Sequence, residues 1–331
     1  MEPVLKNISK VGIVVKNLTE TLDQYYRRYG IGGWKIWDQN PQTLNNQMTG
    51  NEKTDYSARI AHSKIGDTVW ELIEPVSGNS IYAEFLKNHG EGIHHLGYEV
   101  QDMGKALGFF ADLNIKITQS ADWGGLRSAF FDANEDLKHT VEIYNIPEDF
   151  KYPEPAFCYP AKSDEDISVK PFFKEVRQVG LAVKDIKNTA RTYNDKYGLG
   201  PWELYKYFSP KTKDMKYNEV GLLDQKFTTG ATMIGKTEVE LIEPEQGKSV
   251  YADFINEYGE GIQHISFIYN CSFEETLKFH KDNNQIVRQS GNVNNALFAY
   301  FDTEKDLKFI SEYVLVPQDF KMPDSDYSYP K

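Results

Sequence analysis

The sequence predicts an α+β fold of four βαβββ modules, which pair into two domains that each carry an open, cup-shaped mixed sheet. The first observation is a repeat of the whole domain. VGIVVKNL at 11–18 recurs as VGLAVKDI at 179–186, and GEGIHHLGYEV at 90–100 recurs as GEGIQHISFIY at 259–269. The offset between the copies is almost constant, so we expect two copies of one domain.

A second, weaker repeat lies inside each half. A strand pattern at 10–18 runs into a helix pattern at 18–29, and a strand pattern at 95–101 precedes a helix pattern at 103–113. Each helix is followed by further strand-like runs, which in the first half are 69–74, 128–132 and 140–146. Each half is therefore predicted to contain two βαβββ modules.

These patterns give a complete predicted domain organisation. The segment between the two copies is rich in Pro, Asp and Ser and reads as a linker. The predicted parts are domain 1 at 1–150 with modules at 7–80 and 91–150, a linker at 151–172, and domain 2 at 173–322 with modules at 175–249 and 260–322.

The strand that opens each module begins with a polar residue. Successive side chains of a strand point to opposite faces, so these four residues face the same way in their modules. Small residues such as Gly12 and Gly180 follow on the same face. A strand that leaves space beside a polar group indicates a lined cavity. The four polar residues are Lys10, His95, Gln178 and His264.

Composition and charge exclude several classes of protein. The 331 residues carry a net charge of -12 at pH 7, and an acidic surface repels phosphate backbones, so nucleic acid is not an expected partner. The two cysteines belong to no CxxC motif, and no stretch approaches the ~18 apolar residues that span a bilayer. We expect a cytoplasmic protein with no membrane partner, able to stand alone as a monomer because one chain already holds four modules.

Several motifs resemble the vicinal-oxygen-chelate superfamily, which includes glyoxalase I, methylmalonyl-CoA epimerase and the extradiol dioxygenases. The sequence ELIEP at 71–75 is followed by a Gly/Ser-rich turn and then by SIYAEFLKNHGEGIHHLG, and GIGGW at 30–34 is echoed by GLGPW at 198–202. This combination is most similar to the epimerase-like branch. The resemblance covers nearly the whole chain and implies two glyoxalase-like domains.

The resemblance also implies one metal in each pair of modules, with ligands from the first and last strands of each module. In the second half the matching residues are Gln178, Glu240, His264 and Glu312. One imidazole with three oxygen donors suits a single divalent ion such as Zn, Mn, Co, Ni or Fe. We therefore expect the metal in the C-terminal domain.

The first half departs from this pattern. Its matching residues are Lys10, Glu71, His95 and Glu142, and a charged lysine has three donors and no acceptor. We interpret this as a degenerate second site in which the Lys10 ammonium replaces the charge of a metal and pairs with both glutamates. Alternatively, burial lowers the pKa of Lys10, which then acts as a base or anchors a substrate.

Other histidines and tryptophans receive simpler interpretations. His62, His89, His139 and His280 have no counterpart in the other half and are expected to be surface or packing residues. His94 is expected to point away from the cup, because Gln263 replaces it in the second half. Trp34 and Trp202 are expected to pack in the core, whereas Trp123 is expected to cover the first cup.

The favoured function is a metal-dependent isomerase or epimerase that removes a proton alpha to a carbonyl of a small-molecule substrate. A metal ion stabilises the enolate as a Lewis acid. By resemblance, Glu312 serves as both ligand and base, and Glu240 is the second catalytic carboxylate. Three alternatives stay open: a glyoxalase I-like lyase, an Fe(II) dioxygenase and a non-enzymatic small-molecule binding protein. The dioxygenases of the family usually have two histidines and one glutamate, which Gln178 does not match.

Overall fold

The structure is a computed structural model that describes residues 2–161, 170–208, 211–221 and 224–330. The helices of the first half are α1 (Leu18–Tyr29), α2 (Ile81–His89), α3 (Met103–Asp112) and α4 (Asn134–Leu137). Those of the second half are α5 (Ile186–Tyr197), α6 (Val250–Tyr258), α7 (Phe273–Asp282) and α8 (Glu304–Leu307).

The first half contains eleven strands in one sheet. They are β1 (Ile8–Val14), β2 (Trp34–Gln39), β3 (Asn45–Thr49), β4 (Glu52–Lys53), β5 (Ser57–Ile65), β6 (Thr68–Ser77), β7 (Gly92–Glu99), β8 (Ile117–Trp123), β9 (Leu126–Asp132), β10 (Thr140–Asn145) and β11 (Phe157–Tyr159). Their order in the sheet is β11-β2-β5-β6-β1-β7-β10-β9-β8-β3-β4.

The second half also forms an eleven-stranded sheet. Its strands are β12 (Phe173–Ala182), β13 (Trp202–Tyr207), β14 (Thr212–Tyr217), β15 (Val220–Gly221), β16 (Lys226–Ile234), β17 (Thr237–Gln246), β18 (Gly261–Tyr269), β19 (Val287–Val293), β20 (Ala296–Phe301), β21 (Ile310–Leu315) and β22 (Tyr327–Tyr329). Their order is β15-β14-β19-β20-β21-β18-β12-β17-β16-β13-β22.

Each sheet is a curled half-barrel in which two modules meet at their first strands. In the first half, β1 runs antiparallel to β7 of the other module and parallel to β6 of its own, while β7 runs parallel to β10. The second half repeats this arrangement with β12, β18, β17 and β21. The centre of each cup is therefore made of the first and last strands of both modules.

Local sequence explains where the first helix of each half begins and ends. The Asn17 side chain accepts a hydrogen bond from the Glu20 N–H at the start of α1, and Asp185 does the same for Asn188 at the start of α5. Gly30 ends α1 at a φ of 66°, a left-handed conformation that glycine adopts without strain. The apolar face of α1 is buried against the sheet, and each such side chain contributes about 1.5–3 kcal/mol.

The predicted fold class is confirmed. All the strand and helix patterns of the first half appear in the structure with ends shifted by only a few residues, and the four modules form two cup-shaped mixed sheets. The sequence analysis did not predict α2 and α6, nor the crossing of β3, which leaves its own module to pair with β8 of the other.

The domain boundaries stay a prediction. The chain divides into two compact units, one formed mainly by Glu2–Phe172 and the other mainly by residues from Phe173 onward. Within the predicted linker at 151–172, β11 pairs with β2 of the first sheet, and residues 162–169 lie outside the described part of the chain. No helix among the described residues has the length and apolar character needed to cross a membrane.

Candidate metal centre and its counterpart

The register of four neighbouring strands brings the predicted C-terminal residues together. Gly180 of β12 lies opposite Glu240 of β17 on one side and opposite His264 of β18 on the other. Ser266 of β18, in turn, lies opposite Glu312 of β21 and opposite Gln178 of β12. The four residues therefore surround one point at the centre of the cup.

The distances show a tight but incomplete cluster. His264 Nε2 lies 3.4 Å from Glu312 Oε2 and 3.8 Å from Glu240 Oε2. The Gln178 side-chain N–H donates to Glu240 Oε2 at 2.5 Å. His264, Glu312 and Gln178 are buried, whereas Glu240 is partly buried. Neither His264 Nε2 nor Glu312 Oε2 has a hydrogen-bond partner in the described part of the chain, and the contact between them is an ion pair only when His264 is protonated.

Two neighbouring residues fix the His264 ring. A Cβ placed on Gly180 would lie 1.8 Å from His264 Cε1, so the ring occupies the space that a larger residue would fill. Gln263 Oε1 lies 2.8 Å from His264 Nδ1, and an amide oxygen can only accept, so Nδ1 carries a proton there. That contact leaves Nε2 directed at the two carboxylates, which is how metal-binding histidines are usually oriented.

The pKa values of the two carboxyl groups of this cup are shifted in opposite directions. Burial, together with the charges of Glu312 and Glu238, raises the pKa of Glu240 well above its ordinary value. Burial acts on Glu312 in the same direction, but the His264 imidazole outweighs it and lowers the pKa of Glu312. The electrostatics of the cup therefore favour the protonated form of Glu240 relative to that of Glu312.

The N-terminal cup has the same register and one decisive difference. Gly12 lies opposite Glu71 and His95, and a Cβ on Gly12 would lie 2.0 Å from His95 Cε1. Lys10 Nζ lies 3.1 Å from Glu71 Oε1 and 3.0 Å from Glu142 Oε2. The four predicted residues of the degenerate site are thus brought together, with an ammonium between the two carboxylates.

The charges of this cup stabilise one another. Burial alone would lower the pKa of Lys10, but the carboxylates of Glu142 and Glu71 outweigh burial and raise it. Burial acts to raise the pKa values of Glu71 and Glu142. The charge of Lys10, together with hydrogen bonds from neighbouring histidines, outweighs burial and lowers the pKa of each glutamate. The two carboxylates therefore argue against the alternative in which burial lowers the pKa of Lys10 and makes it a base.

The donor sets of the two cups differ in their fit to a metal ion. Glu71, His95 and Glu142 form a triad that could hold a metal, because one ligand atom from each lies within 4.8 Å of the others. In the part of the chain that the structure describes, no other group of His, Cys, Asp or Glu meets this limit, so the C-terminal donors are more widely spaced. Lys10, however, already places a cation against both carboxylates of the triad.

The C-terminal set fits a divalent ion by its chemistry. It offers an imidazole nitrogen and two carboxylates with no lysine or arginine among them, and its two orphaned atoms face each other. The Gln178 amide presents N–H to Glu240 here, and rotation of the amide would present its oxygen to a cation. The imidazole, the amide oxygen and the carboxylates together suit a borderline or hard cation.

Several further residues contribute to the cups. The prediction that His62 is a surface or packing residue was wrong: its Nε2 lies 2.7 Å from Glu71 Oε1, and it lines a cavity in the N-terminal cup. Trp123 lines the same cavity, as predicted, and Trp34 and Trp202 are fully buried in the core, as predicted. His94 was expected to point away from the cup, and its Nδ1 lies 2.9 Å from His95 Nδ1, as Gln263 lies beside His264 Nδ1 in the second half.

Comparison with known proteins identifies the architecture. The family model of the glyoxalase/bleomycin resistance protein/dioxygenase superfamily matches residues 9–130 and 177–300. A mutant of 4-hydroxymandelate synthase from Streptomyces coelicolor is similar over 95% of this chain and 93% of its own, with 14% identity and a TM-score of 0.57. A xylose isomerase-like TIM barrel/4-hydroxyphenylpyruvate dioxygenase fusion protein is similar over 97% of this chain and 50% of its own, with 11% identity and a TM-score of 0.53.

A shorter match covers one domain. Methylmalonyl-CoA epimerase from Streptomyces coelicolor is similar over 42% of this chain and 96% of its own, with 21% identity and a TM-score of 0.35. No curated protein sequence matches the chain. At these identities the two structures with TM-scores above 0.5 show a shared fold and leave the reaction open.

Proposed function

The chain belongs to the glyoxalase/bleomycin resistance protein/dioxygenase superfamily, and from that premise we propose that its C-terminal cup is a metal-dependent isomerase or epimerase site. Its substrate would be a small molecule with an acidic proton alpha to a carbonyl. The residues that carry the proposal are Gln178, Glu240, His264 and Glu312.

One observation supports a cation in this cup. The two halves share a fold and a register, and each cup contains two glutamates and one histidine. The N-terminal cup also contains Lys10 as an internal cation, whereas Gln178 takes its place in the C-terminal cup. Gln178 supplies no charge, and His264 is the one titratable cation among the four residues, so a bound ion would add positive charge beside the carboxylates of the C-terminal cup.

The proposed metal ligands are Gln178, Glu240, His264 and Glu312. A divalent ion, when bound there, supplies the positive charge that stabilises negative charge developing on a substrate oxygen. Gly180 and Gln263 hold the His264 ring with Nε2 toward the cup, so the imidazole needs no rearrangement to serve as a ligand.

The two carboxyl groups divide the proton transfers between them. The pKa of Glu312 is lowered, which favours its ionised form, and an ionised carboxylate is the form that removes a proton. Glu240 has the raised pKa and is the group better suited to hold a proton and return it. Glu312 lies on β21 and Glu240 lies on β17. In the sheet these two strands are separated by β18 and β12. An epimerisation requires a base and an acid at separate positions around one carbon.

Exchange with heavy water tests the reaction class. The metal-loaded protein would be incubated in D₂O with acyl-CoA, sugar-derived and aromatic ketone substrates, and the substrate mass followed. We expect gain of one deuterium at the carbon alpha to the carbonyl. Glu312→Gln should slow this exchange about 100- to 10,000-fold, which is the usual contribution of a general base.

A matched variant and two further readouts complete the test. The matched variant is Glu243→Gln. Glu243 lies on β17 with Glu240, but its carboxylate accepts a hydrogen bond from the Ile186 N–H outside the cup. We therefore expect this variant to exchange deuterium at the wild-type rate. Oxygen consumption without deuterium gain would instead identify a dioxygenase, and turnover only of a thiol hemiacetal would identify a glyoxalase-like lyase. If Glu312→Gln exchanges at the wild-type rate, Glu312 is not the base.

A further inference from the structure

Two buried tyrosines stand beside the Glu312 carboxyl in the wall of the C-terminal cup. Tyr300 of β20 lies directly opposite Glu312 of β21, and Tyr251 lies in the first turn of α6. The Tyr251 O–H donates a hydrogen bond to the Tyr300 hydroxyl at 2.9 Å. The centre of the Tyr300 ring is 4.9 Å from that of His264. The two linked hydroxyls therefore border the residues of the proposed metal centre.

The N-terminal cup has the same arrangement of rings but lacks one of these hydroxyls. Phe130 takes the place of Tyr300. It lies opposite Glu142, and its ring centre is 5.0 Å from that of His95. Tyr82 packs edge-on against Phe130 at 5.8 Å, as its C-terminal counterpart packs against Tyr300 at 5.6 Å. Because Phe130 lines the N-terminal cavity, this ring position faces the interior of a cup, and the second half adds a hydroxyl there.

We propose that Tyr300 is a positioning residue for Glu312 and is itself held in place by Tyr251. In this arrangement the Tyr251 hydroxyl donates to Tyr300, and the Tyr300 hydroxyl donates to the Glu312 carboxylate. The second bond fixes the orientation of that carboxylate within the cup. The role of Tyr300 rests on the function proposed for Glu312, because both tyrosines act through this one carboxylate.

The hydroxyl of Tyr300 has a proton available for Glu312. A phenol has one O–H donor, and the Tyr300 oxygen already accepts from Tyr251, so its own proton is left for another acceptor. Burial acts to raise the pKa of Glu312, and the charge and hydrogen bond of His264 oppose it, followed by hydrogen bonds from Tyr300 and Ser266. The carboxyl of Glu312 is therefore the acceptor for the Tyr300 proton.

A hydrogen bond at this carboxylate would hold it ready for a cation. In the described part of the chain, Glu312 Oε2 has no hydrogen-bond partner, so one oxygen of the carboxylate is open to a ligand while Tyr300 restrains the group. Partners that orient a ligating carboxylate usually contribute about 10- to 100-fold to metal affinity or activity. In the N-terminal cup, Lys10 Nζ contacts Glu142 at 3.0 Å and restrains that carboxylate directly.

A double-mutant cycle in EDTA tests the contact in the absence of metal and substrate. Tyr300→Phe introduces the residue that the first half has at this position, so we expect the variant to fold. It should lower the urea midpoint of the full chain in the wild-type background and by about half as much or less in a Glu312→Leu background, where no carboxylate remains to be held. Additive losses would overturn the proposal.

Metal affinity and exchange kinetics test the role of Tyr300 in the site. In competition with a chromophoric chelator, Tyr300→Phe should bind Zn²⁺ about 10-fold more weakly than the wild type. At saturating Zn²⁺, the kcat of deuterium exchange should fall by a similar factor and KM should not change, because Tyr300 acts through Glu312 and does not contact the substrate. A Zn²⁺-binding wild type that Tyr300→Phe matches in affinity, or a change in KM alone, would overturn the proposal.

Two further variants provide an independent comparison. Tyr251→Phe removes the hydroxyl that donates to Tyr300 and keeps both rings, so it should weaken Zn²⁺ binding by a smaller factor of about 3. Tyr82→Phe makes the same change in the first half, where Phe130 cannot accept such a bond, and should leave Zn²⁺ affinity unchanged. Equal effects of these two variants would overturn the proposal. A wild type that neither binds Zn²⁺ nor exchanges deuterium would defeat the proposed function, whereas the cycle in EDTA would still decide whether Tyr300 holds Glu312.

Discussion

At the scale of single residues, one position distinguishes the two cups. Lys10 of β1 and Gln178 of β12 occupy matching places in the two cups, and each contacts the matching glutamate of its own half. The lysine supplies a positive charge and the glutamine supplies none. Because the histidine and the two glutamates of each cup match in type and register, this exchange changes the charge of an otherwise shared set of residues.

Gly180 offers a test of the proposed metal centre that leaves every ligand in place. Gly180→Ala would put a Cβ 1.8 Å from the His264 ring and displace the imidazole from the cup. We expect metal affinity, measured by competition with a chromophoric chelator, to fall at least about 10-fold. Gly12→Ala displaces His95 in the same way and should leave metal affinity unchanged. Equal losses in both variants would contradict a C-terminal centre.

Comparison of the two halves guided the sequence-based interpretation of Lys10 and of the tryptophans. The repeat made Lys10 stand out against Gln178, and it separated the buried Trp34 and Trp202 from the cavity residue Trp123. His62 was missed because its role depends on pairing of β5 with β6, which places it opposite Glu71. The second half has Ala231 at that position, so the repeat gave no signal.

At the scale of elements, the cups depend on how the first and last strands of each module are aligned. A shift of one residue in β12 would move Gln178 and Gly180 to the opposite face of the sheet. Alternation of residues along a strand predicted the shared face, but the pairing of β1 with β6 and of β10 with β7 is a long-range contact. Local patterns contain no information on such pairings, which is also why the crossing of β3 to β8 was not predicted.

One buried side chain links a strand to a helix that the sequence analysis did not predict. Gln289 of β19 is fully buried, and its Oε1 accepts from the Val250 N–H at the start of α6. Gln289→Met would leave that N–H without a partner, and we expect the free energy of unfolding in urea to fall by about 1–3 kcal/mol. Gln246→Met, at an exposed position of β17, should change it by less than about 0.5 kcal/mol. An equal change in both variants would show that the hydrogen bond between Val250 and Gln289 does not stabilise the fold.

At the scale of the whole molecule, one fold is repeated with opposite responses to pH. The pKa values of Glu71 and Glu142 are lowered, so their stabilisation is present above the unfolded value of 4.5 and is lost as the pH falls. The pKa of Glu240 is raised, so without a metal its contribution is lost as the pH rises above 4.5. Glu240 and the two glutamates of the N-terminal cup thus favour folding at different ends of the acidic range.

Thermal unfolding in EDTA should reveal this difference. As the pH rises from 4.5 to 7, the unfolding midpoint of the wild type should fall relative to that of Glu240→Gln, which has no ionisable group at this position. Below pH 4.5 the advantage of the wild type over Glu71→Gln should shrink, because protonation removes the carboxylate that Lys10 contacts. A pH dependence that is the same in the wild type and Glu240→Gln would contradict the raised pKa of Glu240.

Metal content per chain tests most directly the claim that Lys10 serves one cup as its cation while the other cup binds an ion. Elemental analysis of folded protein should find one divalent ion in the wild type, none in Gln178→Lys and two in Lys10→Gln. A wild type without metal, or a Gln178→Lys variant that keeps its ion, would contradict the account.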